Sequence, residues 1–240
     1  DDIHVEFAPD LVNMVLDPGE GLDARIANMR RHVATRYGLV LPEIRLTDDA
    51  ALKPGSYVIR VHGVEQARAA LRPESLLALD PENHPALPPG EAVEEPVYGA
   101  PARWIPAAAR DRAALDGATL ITPTEVLATH LLEVIRRNLG WLLTMKAMRR
   151  LLDEMVNLSD RARAEANRKL LEEMIPDRLA PDLLHAVLRL LLAEQVSIRN
   201  LPLIIEAAAE GRQGGAAPEA VCEHVRQRLG FQLVAELTRP

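Results

Sequence analysis

The sequence has few aromatic residues and a single cysteine. Aromatic side chains make up 3% of the chain, so the stacking platforms that bind single-stranded nucleic acids are scarce. The formal net charge of -7 also argues against a general nucleic-acid surface, which needs clustered positive charge to neutralise phosphates. The lone Cys222 cannot form an internal disulfide, and no CxxC pair indicates redox chemistry or a zinc knuckle, so a reducing compartment fits best.

Long apolar runs are missing as well. No run of about 18 apolar residues occurs, and the richest stretch, at 183–196, is interrupted by His185 and Arg189 and predicts a core helix. No signal peptide is found, and the chain begins with Asp1 rather than methionine, so we expect a fragment of a longer protein. What is present, 240 residues with 48% hydrophobic and 26% charged residues, is typical of a globular protein with one or two domains.

The first half of the chain predicts a mixture of strands and helices. Val5 and Phe7 form one face of a short strand, and the apolar run LVNMVL at 11–16 follows as an apolar strand. The segments 39–46 and 56–64 predict strands through alternation and β-branched content. A helix is also predicted, because apolar residues at helical spacing form one stripe that a glycine closes. The stripe consists of Leu22, Ile26, Met29, Val33 and Tyr37, and the closing glycine is Gly38.

Residues 81–106 are dense in proline. Because proline fits neither helix interiors nor central strands, the segment predicts loops and edge strands of a small inserted lobe. Its prolines are Pro81, Pro85, Pro88, Pro89, Pro96, Pro101 and Pro106. A short helix at 106–117 and a strand at 118–122 are predicted to follow.

The stretch TPTEVLATHLLEVIRRN at 122–138 predicts a helix with a marked beginning. Thr122 can accept a hydrogen bond from the Glu125 amide, Pro123 suits the first helical position, and Gly140 tolerates the left-handed conformation of a helix end. From about residue 144 onward only helices are predicted. Their predicted caps and boundaries are Ser159, Pro181, Ser197, Pro218 and Gly230.

Two pairs of residues raise the question of a metal site. A helical zinc site of the protease type needs two histidines four residues apart, whereas the helix at 122–138 offers only His130 and Glu133. These two are predicted to form a hydrogen-bonded pair three residues apart, with no catalytic role. Cys222 and His224 likewise lack a second ligand pair, so no metal is predicted.

A nucleotide-dependent enzyme is an alternative that the motif GEGLDA at 19–24 leaves open. The motif follows an apolar strand and opens a helix, and Glu43 stands at the distance of a ribose contact. Against it, Asp17, Glu20 and Asp23 place negative charge where a pyrophosphate would approach the helix N-terminus. Neither a phosphate-binding GxxxxGK nor a GxSxG elbow occurs in the sequence.

Five phrases are distributed in order over nearly the whole chain. They are LDARIANMRRHVATRYGLVLPEIRLTDD, GSYVIRVHGVEQARAAL, EEPVYGAPARWI, LATHLLEVIRR and EQVSIRNLPLIIEAAAE. Together they resemble the cytoplasmic domain of the type III secretion export-gate family, which has flagellar and virulence members. The resemblance implies a bacterial inner-membrane protein, with this fragment on the cytoplasmic side and the membrane-spanning N-terminal part absent from it. It also implies a nine-membered ring that receives chaperone-substrate complexes, works with other export apparatus proteins, and has neither hydrolase activity nor a cofactor.

The resemblance implies a mixed α+β fold with a defined domain order. An α/β subdomain at 1–73 and 123–142 would be interrupted by a small inserted α+β subdomain at 74–122. A helical subdomain at 143–228 would follow, and 229–240 would begin a linker to a fourth subdomain that this sequence does not contain. That departure puts in doubt any role the family assigns to the fourth subdomain.

The family binds chaperones in an apolar dimple between its first two subdomains. Carried over by motif, the partner-binding residues would be Glu95 and Tyr98 in EEPVYG, where the family usually has phenylalanine at the Tyr98 position, and Thr129 in ATHL. Trp104 is a further candidate contact. The alternatives are core packing for Tyr98 and Trp104 and a solvated edge position for Glu95. A purely structural ring-forming module without a substrate site is a third hypothesis.

Overall fold

The computed structural model describes residues 2–80 and 87–237, with side chains through residue 231. Pro81 and Pro85 of the proline-dense segment therefore lie outside the described residues. Two small sheets and a set of helices make a mixed α+β fold, as predicted.

The secondary structure follows the chain in this order. The strands of the described residues are β1 (Ile3–Phe7), β2 (Ile44–Asp48), β3 (Ser56–Val61), β4 (Val64–Ala70), β5 (Ser75–Leu79), β6 (Glu91–Glu94), β7 (Pro101–Pro106) and β8 (Leu120–Ile121). The α-helices are α1 (Val12–Val15), α2 (Leu22–Tyr37), α3 (Arg110–Leu115), α4 (Pro123–Arg137), α5 (Leu139–Leu142), α6 (Met145–Val156), α7 (Arg161–Met174), α8 (Pro181–Ala193), α9 (Leu201–Gly211) and α10 (Pro218–Leu237). Short 3-10 turns, Pro9–Leu11 and Ala107–Ala109, lead into α1 and α3.

The chain divides into two compact units. The first consists of residues 1–30 and 42–136 and contains both sheets. The second consists of residues 31–41 and 137–240 and contains α5 to α10. The three-part domain order expected from the resemblance stays a prediction.

The first sheet has the strand order β2-β1-β3-β4, with β1 parallel to β2 and antiparallel to β3. The predicted alternation of the first strand is confirmed, because every second residue of β1 from Ile3 to Phe7 is buried. The predicted strand at 56–64 is too long. β3 ends at Val61, and the chain turns at His62 and Gly63 into β4, which pairs with β3.

The second sheet has the strand order β6-β7-β5-β8, and its pairings are antiparallel. The prediction of loops and edge strands for the proline-dense segment is wrong for β7, which is an internal strand between β6 and β5. Pro101 and Pro106 stand at its first and last positions, so the missing N–H groups fall at the ends of the strand. Ile105 of β7 packs with Leu76 of β5 and Ala113 of α3 in a buried cluster.

The apolar run at 11–16 is helical, so the prediction of a strand is wrong there. Pro9 begins a 3-10 turn, and α1 continues it. Leu11 and Val15, four residues apart, are both fully buried, which is the spacing of one helix face. A short apolar run does not distinguish a strand from a buried helix by periodicity alone.

The helices of the second half begin and end close to the predicted positions. Pro181 and Pro218 begin α8 and α10 as predicted, and α8 is the predicted core helix, with Leu184 and Leu188 fully buried. The boundary at Gly230 is wrong, because α10 continues to Leu237. A single glycine lowers helix propensity without ending a helix whose following residues favour it.

Two predicted helix caps are also wrong. Asp160 rather than Ser159 caps α7, and Asn200 rather than Ser197 caps α9. Each side-chain oxygen accepts the backbone amide three residues further on, at 3.2 Å for Asp160 and 3.5 Å for Asn200. Asp and Asn cap helices at least as well as Ser, and here they stand directly before the first helical residue.

Gly140 does not close α4 in a left-handed conformation, contrary to the prediction. α4 ends at Arg137, and Gly140 lies inside α5. A Cβ atom at Gly140 would stand 2.8 Å from the backbone carbonyl oxygen of Arg189 in α8. The Nε atom of Arg189 also donates to the Gly140 carbonyl oxygen at 3.2 Å. Gly140 therefore allows α5 and α8 to approach closely.

Gly140→Ala is expected to lower the free energy of unfolding by about 1–3 kcal/mol, because the added methyl group overpacks against a backbone atom with little room to move. The matched control is Gly230→Ala, since nothing lies within 4 Å of a Cβ at this position in α10. There alanine should raise the free energy of unfolding by about 0.5–1 kcal/mol through its higher helix propensity. Urea unfolding measures both values, and shifts of the same sign in the two variants would contradict the close-packing role of Gly140.

Candidate docking site

Glu95 shapes the loop that joins β6 to β7. This residue is 8% exposed, and its carboxylate accepts three backbone N–H groups. Oε2 accepts from Val97 at 2.9 Å, and Oε1 accepts from Tyr98 at 2.6 Å and from Ala100 at 3.2 Å. The Glu95 amide also donates to the carbonyl oxygen of Ala100 at 2.8 Å, which closes the loop. These donors replace the hydration that a buried carboxylate loses, so the alternative of a solvated edge residue is wrong.

The same loop turns Val97 inward and Tyr98 outward. Val97 is buried, whereas Tyr98 is 67% exposed. Gly99 follows with a φ of 75°, a left-handed conformation that glycine adopts without strain. The exposure of Tyr98 excludes the alternative of core packing. The phenol ring therefore projects from a loop whose backbone is held by Glu95.

Trp104 lies in the core of the second sheet. It is 6% exposed and stands on β7 opposite Leu77 of β5 and Glu91 of β6. Core packing, the alternative considered for this residue, therefore describes it correctly. Its indole ring is not accessible as a binding anchor, because the residue is almost fully buried.

Thr129 is an exposed position on a helix that is otherwise well buried. It stands between the buried Ala128 and His130 on α4. The beginning of α4 agrees with the prediction, because Thr122 Oγ1 accepts the Glu125 amide at 3.2 Å. α4 therefore presents a hydroxyl group to solvent from a helix whose neighbouring residues are fixed in the core.

His130 contacts Tyr57, a partner that the sequence does not predict. Tyr57 Oη and His130 Nδ1 are 2.6 Å apart, and the two rings meet edge to face with centroids 5.6 Å apart. Burial first, and then the nearby Glu95 carboxylate, raises the pKa of Tyr57 well above its ordinary value. The hydroxyl group thus keeps its proton and can donate it to Nδ1. The predicted pair of His130 with Glu133 stays a prediction, and the Glu133 carboxylate also lies 3.4 Å from the Arg136 guanidinium.

The candidate docking site consists of Glu95, Tyr98 and Thr129. Glu95 and Tyr98 belong to one loop, and Thr129 belongs to α4. Tyr57 connects the loop and α4. Its hydroxyl group contacts His130 on α4, and the Glu95 carboxylate of the loop acts on it electrostatically. The role of Tyr57 was not predicted from the sequence, which places this residue only within the predicted strand at 56–64. The sequence contained one signal of this contact, a tyrosine hydroxyl group in a predicted strand that is otherwise largely apolar. Because a buried tyrosine usually has a hydrogen-bond partner, such a hydroxyl group indicates a polar contact in the core.

The GEGLDA turn does not have the surroundings of a dinucleotide site. Such a site needs a strand before the turn, and α1 lies there instead. Asp17 Oδ1 accepts the amides of Gly19 and Glu20, both at 2.9 Å. These bonds, that of Glu20 first, lower the pKa of the Asp17 carboxyl. Two amides of this turn are thus already bound to a carboxylate of the same chain and are not available for a phosphate.

Metal binding and membrane spanning were the other possibilities raised by the sequence. Within residues 2–80 and 87–237, no group of three or more His, Cys, Asp or Glu side chains is placed to hold a metal ion. His224 Nε2 lies 3.1 Å from a Glu210 carboxylate oxygen, and the Cys222 thiol is buried, which raises its pKa. Over this same part of the chain, no helix combines the length and apolar content needed to cross a bilayer.

Known proteins resemble this chain in sequence over its full length. The sequence profile of the FHIPEP family matches residues 1–240. The chain belongs to the FHIPEP family. The flagellar biosynthesis protein FlhA of Caulobacter vibrioides is 34% identical to this FHIPEP chain over 234 residues, which cover 97% of the chain and 32% of the relative. The chain spans about a third of the length of the curated relatives it matches.

Solved structures share the fold of this FHIPEP chain. The structure of the Chlamydia pneumoniae CdsV and CdsO complex matches with a TM-score of 0.77 at 22% identity, covering 97% of this chain and 71% of that chain. The nonameric EPEC SctV-C matches with a TM-score of 0.64 at 18% identity, covering 98% of this chain and 67% of that chain. At these identities the likeness shows the fold.

Proposed function

We propose that this FHIPEP chain is the part of a flagellar protein export gate that binds export chaperones carrying their substrates. It would receive these complexes and pass them to the membrane export channel. The observation that carries the proposal is Tyr98, which is 67% exposed on a loop held in place by Glu95. The name of the relatives, flagellar biosynthesis protein FlhA, supports a role in export and favours a flagellar system over a virulence system.

The chemistry of the site suits binding rather than bond making. Tyrosine is among the residue types that contribute most to interface energies, because its rigid ring offers apolar area and a hydrogen-bonding end. A loop that is already ordered loses little conformational entropy when a partner binds. The Glu95 carboxylate is engaged with three loop amides, so it serves the loop rather than a reaction. Thr129 would add a hydroxyl group at the edge of the contact.

Assembly and location belong to the same proposal. SctV-C was solved as a nonamer, and CdsV was solved together with CdsO. For this chain we infer a homo-oligomeric ring, nine-membered by likeness, that contacts other export apparatus proteins. It would lie on the cytoplasmic side of the bacterial inner membrane and be attached there through the rest of a longer protein. The subdomain order 1–73 with 123–142, 74–122 and 143–228 is proposed on the same basis.

Tyr98→Asp is expected to weaken binding of the chaperone-substrate complex by about 30-fold or more, the loss typical of a central interface residue. The aspartate removes the ring and adds a charge that would lose its hydration on docking. The measurement is an isothermal titration of the chain with a flagellar export chaperone bound to its substrate, both encoded by the same genome.

Leu115→Asp serves as the matched control for Tyr98→Asp. Leu115 is 88% exposed on α3, in the same unit, so the control adds the same charge at another exposed apolar position. It should bind the complex like the unmodified chain. Unchanged binding in a folded Tyr98→Asp variant would refute the docking proposal and favour the structural ring module. The turn at 19–24 gives no support to a nucleotide-dependent enzyme.

A further inference from the structure

We propose that Tyr57 and His130 are positioning residues, which set the place of the exposed Thr129 on α4 relative to the loop that carries Tyr98. The inference rests on the proposed docking function and extends it to two buried residues that would not touch the partner. Its basis is the direct contact between β3 and α4 through Tyr57 Oη and His130 Nδ1, at 2.6 Å.

Tyr57 is a fixed point in the first unit. It lies on β3, an internal strand, where it stands opposite Phe7 of β1 and Ala69 of β4. Its side chain is fully buried. A residue that is paired on both sides has a backbone held by two neighbouring strands, so its hydroxyl group has a defined position.

His130 fixes the rotation of α4 about its axis. Successive residues of an α-helix differ by about 100° around the axis. With the His130 ring held inside against Tyr57, Thr129 must point elsewhere, and it is exposed. A small rotation of α4 that moved Thr129 would also stretch the bond between Oη and Nδ1. The hydrogen bond thus resists the motion that would displace the hydroxyl of Thr129.

Tyr57 is also influenced by the charge of the residue that organises the loop. The Glu95 carboxylate accepts the amides of Val97, Tyr98 and Ala100. The same carboxylate acts electrostatically on the Tyr57 hydroxyl group. A neutral phenol is compatible with a buried carboxylate, whereas a second negative charge would repel it. Tyr57 therefore contacts the support of Thr129 directly and is influenced electrostatically by the support of Tyr98.

A hydrogen bond specifies position better than apolar packing does. Apolar cores tolerate shifts and changes of shape if the volume is kept, whereas a buried hydrogen bond weakens steeply when distance or angle departs from the optimum. Replacing the hydroxyl group by hydrogen should therefore leave the fold in place and loosen the relative position of the two parts of the docking site.

The test is Tyr57→Phe, which removes one oxygen atom and keeps the ring. We expect binding of the flagellar chaperone-substrate complex to weaken by about 5- to 10-fold, as for the loss of one buried hydrogen bond. Tyr37→Phe is the matched control, because Tyr37 is also buried and also meets a histidine ring, His32, edge to face. Tyr37 belongs to the second unit, and its variant should bind like the unmodified chain.

A double-mutant cycle separates positioning from general stability. If Tyr57 acts by placing Thr129, Tyr57→Phe should change binding by less than 2-fold, on the order of experimental additivity, in a Thr129→Ala background. A merely structural role would give the same factor in both backgrounds. His130→Gln is the second variant, and its loss of binding should not add to that of Tyr57→Phe.

The outcomes distinguish this inference from the docking proposal. Wild-type affinity in Tyr57→Phe, together with lost affinity in Tyr98→Asp, would refute the positioning role and leave docking intact. Equal factors in the two backgrounds of the cycle would refute it as well. Wild-type affinity in Tyr98→Asp would refute docking, and the positioning role with it.

Discussion

Glu95→Ala is expected to release the loop between β6 and β7 and to abolish docking. Three loop amides lose their acceptor together, and hydrogen bonds to a charged group contribute about 1.5–3 kcal/mol each. Because water reaches part of the released loop, we expect the free energy of unfolding to fall by about 3 kcal/mol rather than by the full sum. Docking should fail because Tyr98 would no longer project from an ordered backbone.

Amide hydrogen exchange and urea unfolding together measure the effect of Glu95→Ala. The amides of Val97, Tyr98 and Ala100 should exchange on the order of 100-fold faster, as follows from a loss of about 3 kcal/mol. The matched control is Glu94→Ala, at the exposed neighbouring residue of β6, which should change neither exchange nor binding. Retained protection of the three amides in Glu95→Ala would contradict the role given to this carboxylate.

Glu95→Gln refines the same prediction, because the two carboxylate oxygens have different partners. Oε1 accepts from Tyr98 and Ala100, and Oε2 accepts from Val97. The glutamine carbonyl can replace Oε1, whereas its NH2 group would face the Val97 amide as a second donor. We therefore expect slow exchange at Tyr98 and Ala100, fast exchange at Val97, and docking between that of Glu95→Ala and that of the unmodified chain.

The parts of the fold that the sequence predicted depend on patterns within one element. The stripe from Leu22 to Tyr37 repeats at helical spacing over several turns and is buried throughout α2. Thr122 caps α4 through a bond to an amide only three residues away. Such features are set by local geometry, so residues close in the sequence are sufficient to reveal them.

The parts that the sequence did not predict depend on contacts between distant residues. The burial of Glu95 follows from the convergence of loop amides around it, and an acidic residue between Glu94 and Pro96 gives no sign of this. The contact of Tyr57 with His130 joins residues 73 positions apart. Trp104 stands on an internal strand only because β6 and β5 pair on both sides of β7. The candidate site was therefore located by motif resemblance, whereas its internal support came from the structure.

Gly55→Ala is the second substitution for which a large effect is expected, in the turn between β2 and β3. Gly55 has a φ of 79°, and a Cβ atom there would stand 2.4 Å from the backbone carbonyl oxygen of Leu71. The Gly55 carbonyl oxygen also accepts the Leu71 amide at 2.7 Å, and its amide donates to Asp10 Oδ1 at 3.0 Å. A side chain would thus strain the backbone and separate two segments that are bonded together.

A matched glycine separates the two causes of the lost stability in Gly55→Ala, which are backbone strain and overpacking against Leu71. Gly63 has a φ of 80°, in the turn between β3 and β4, and nothing lies within 4 Å of a Cβ there. Gly63→Ala should therefore show the backbone cost alone, about 1 kcal/mol, whereas Gly55→Ala should lose about 3 kcal/mol or more because overpacking is added. Urea unfolding of both variants measures the difference. Equal losses would mean that Leu71 can move away freely, and that the close approach of the two segments contributes little to the first sheet.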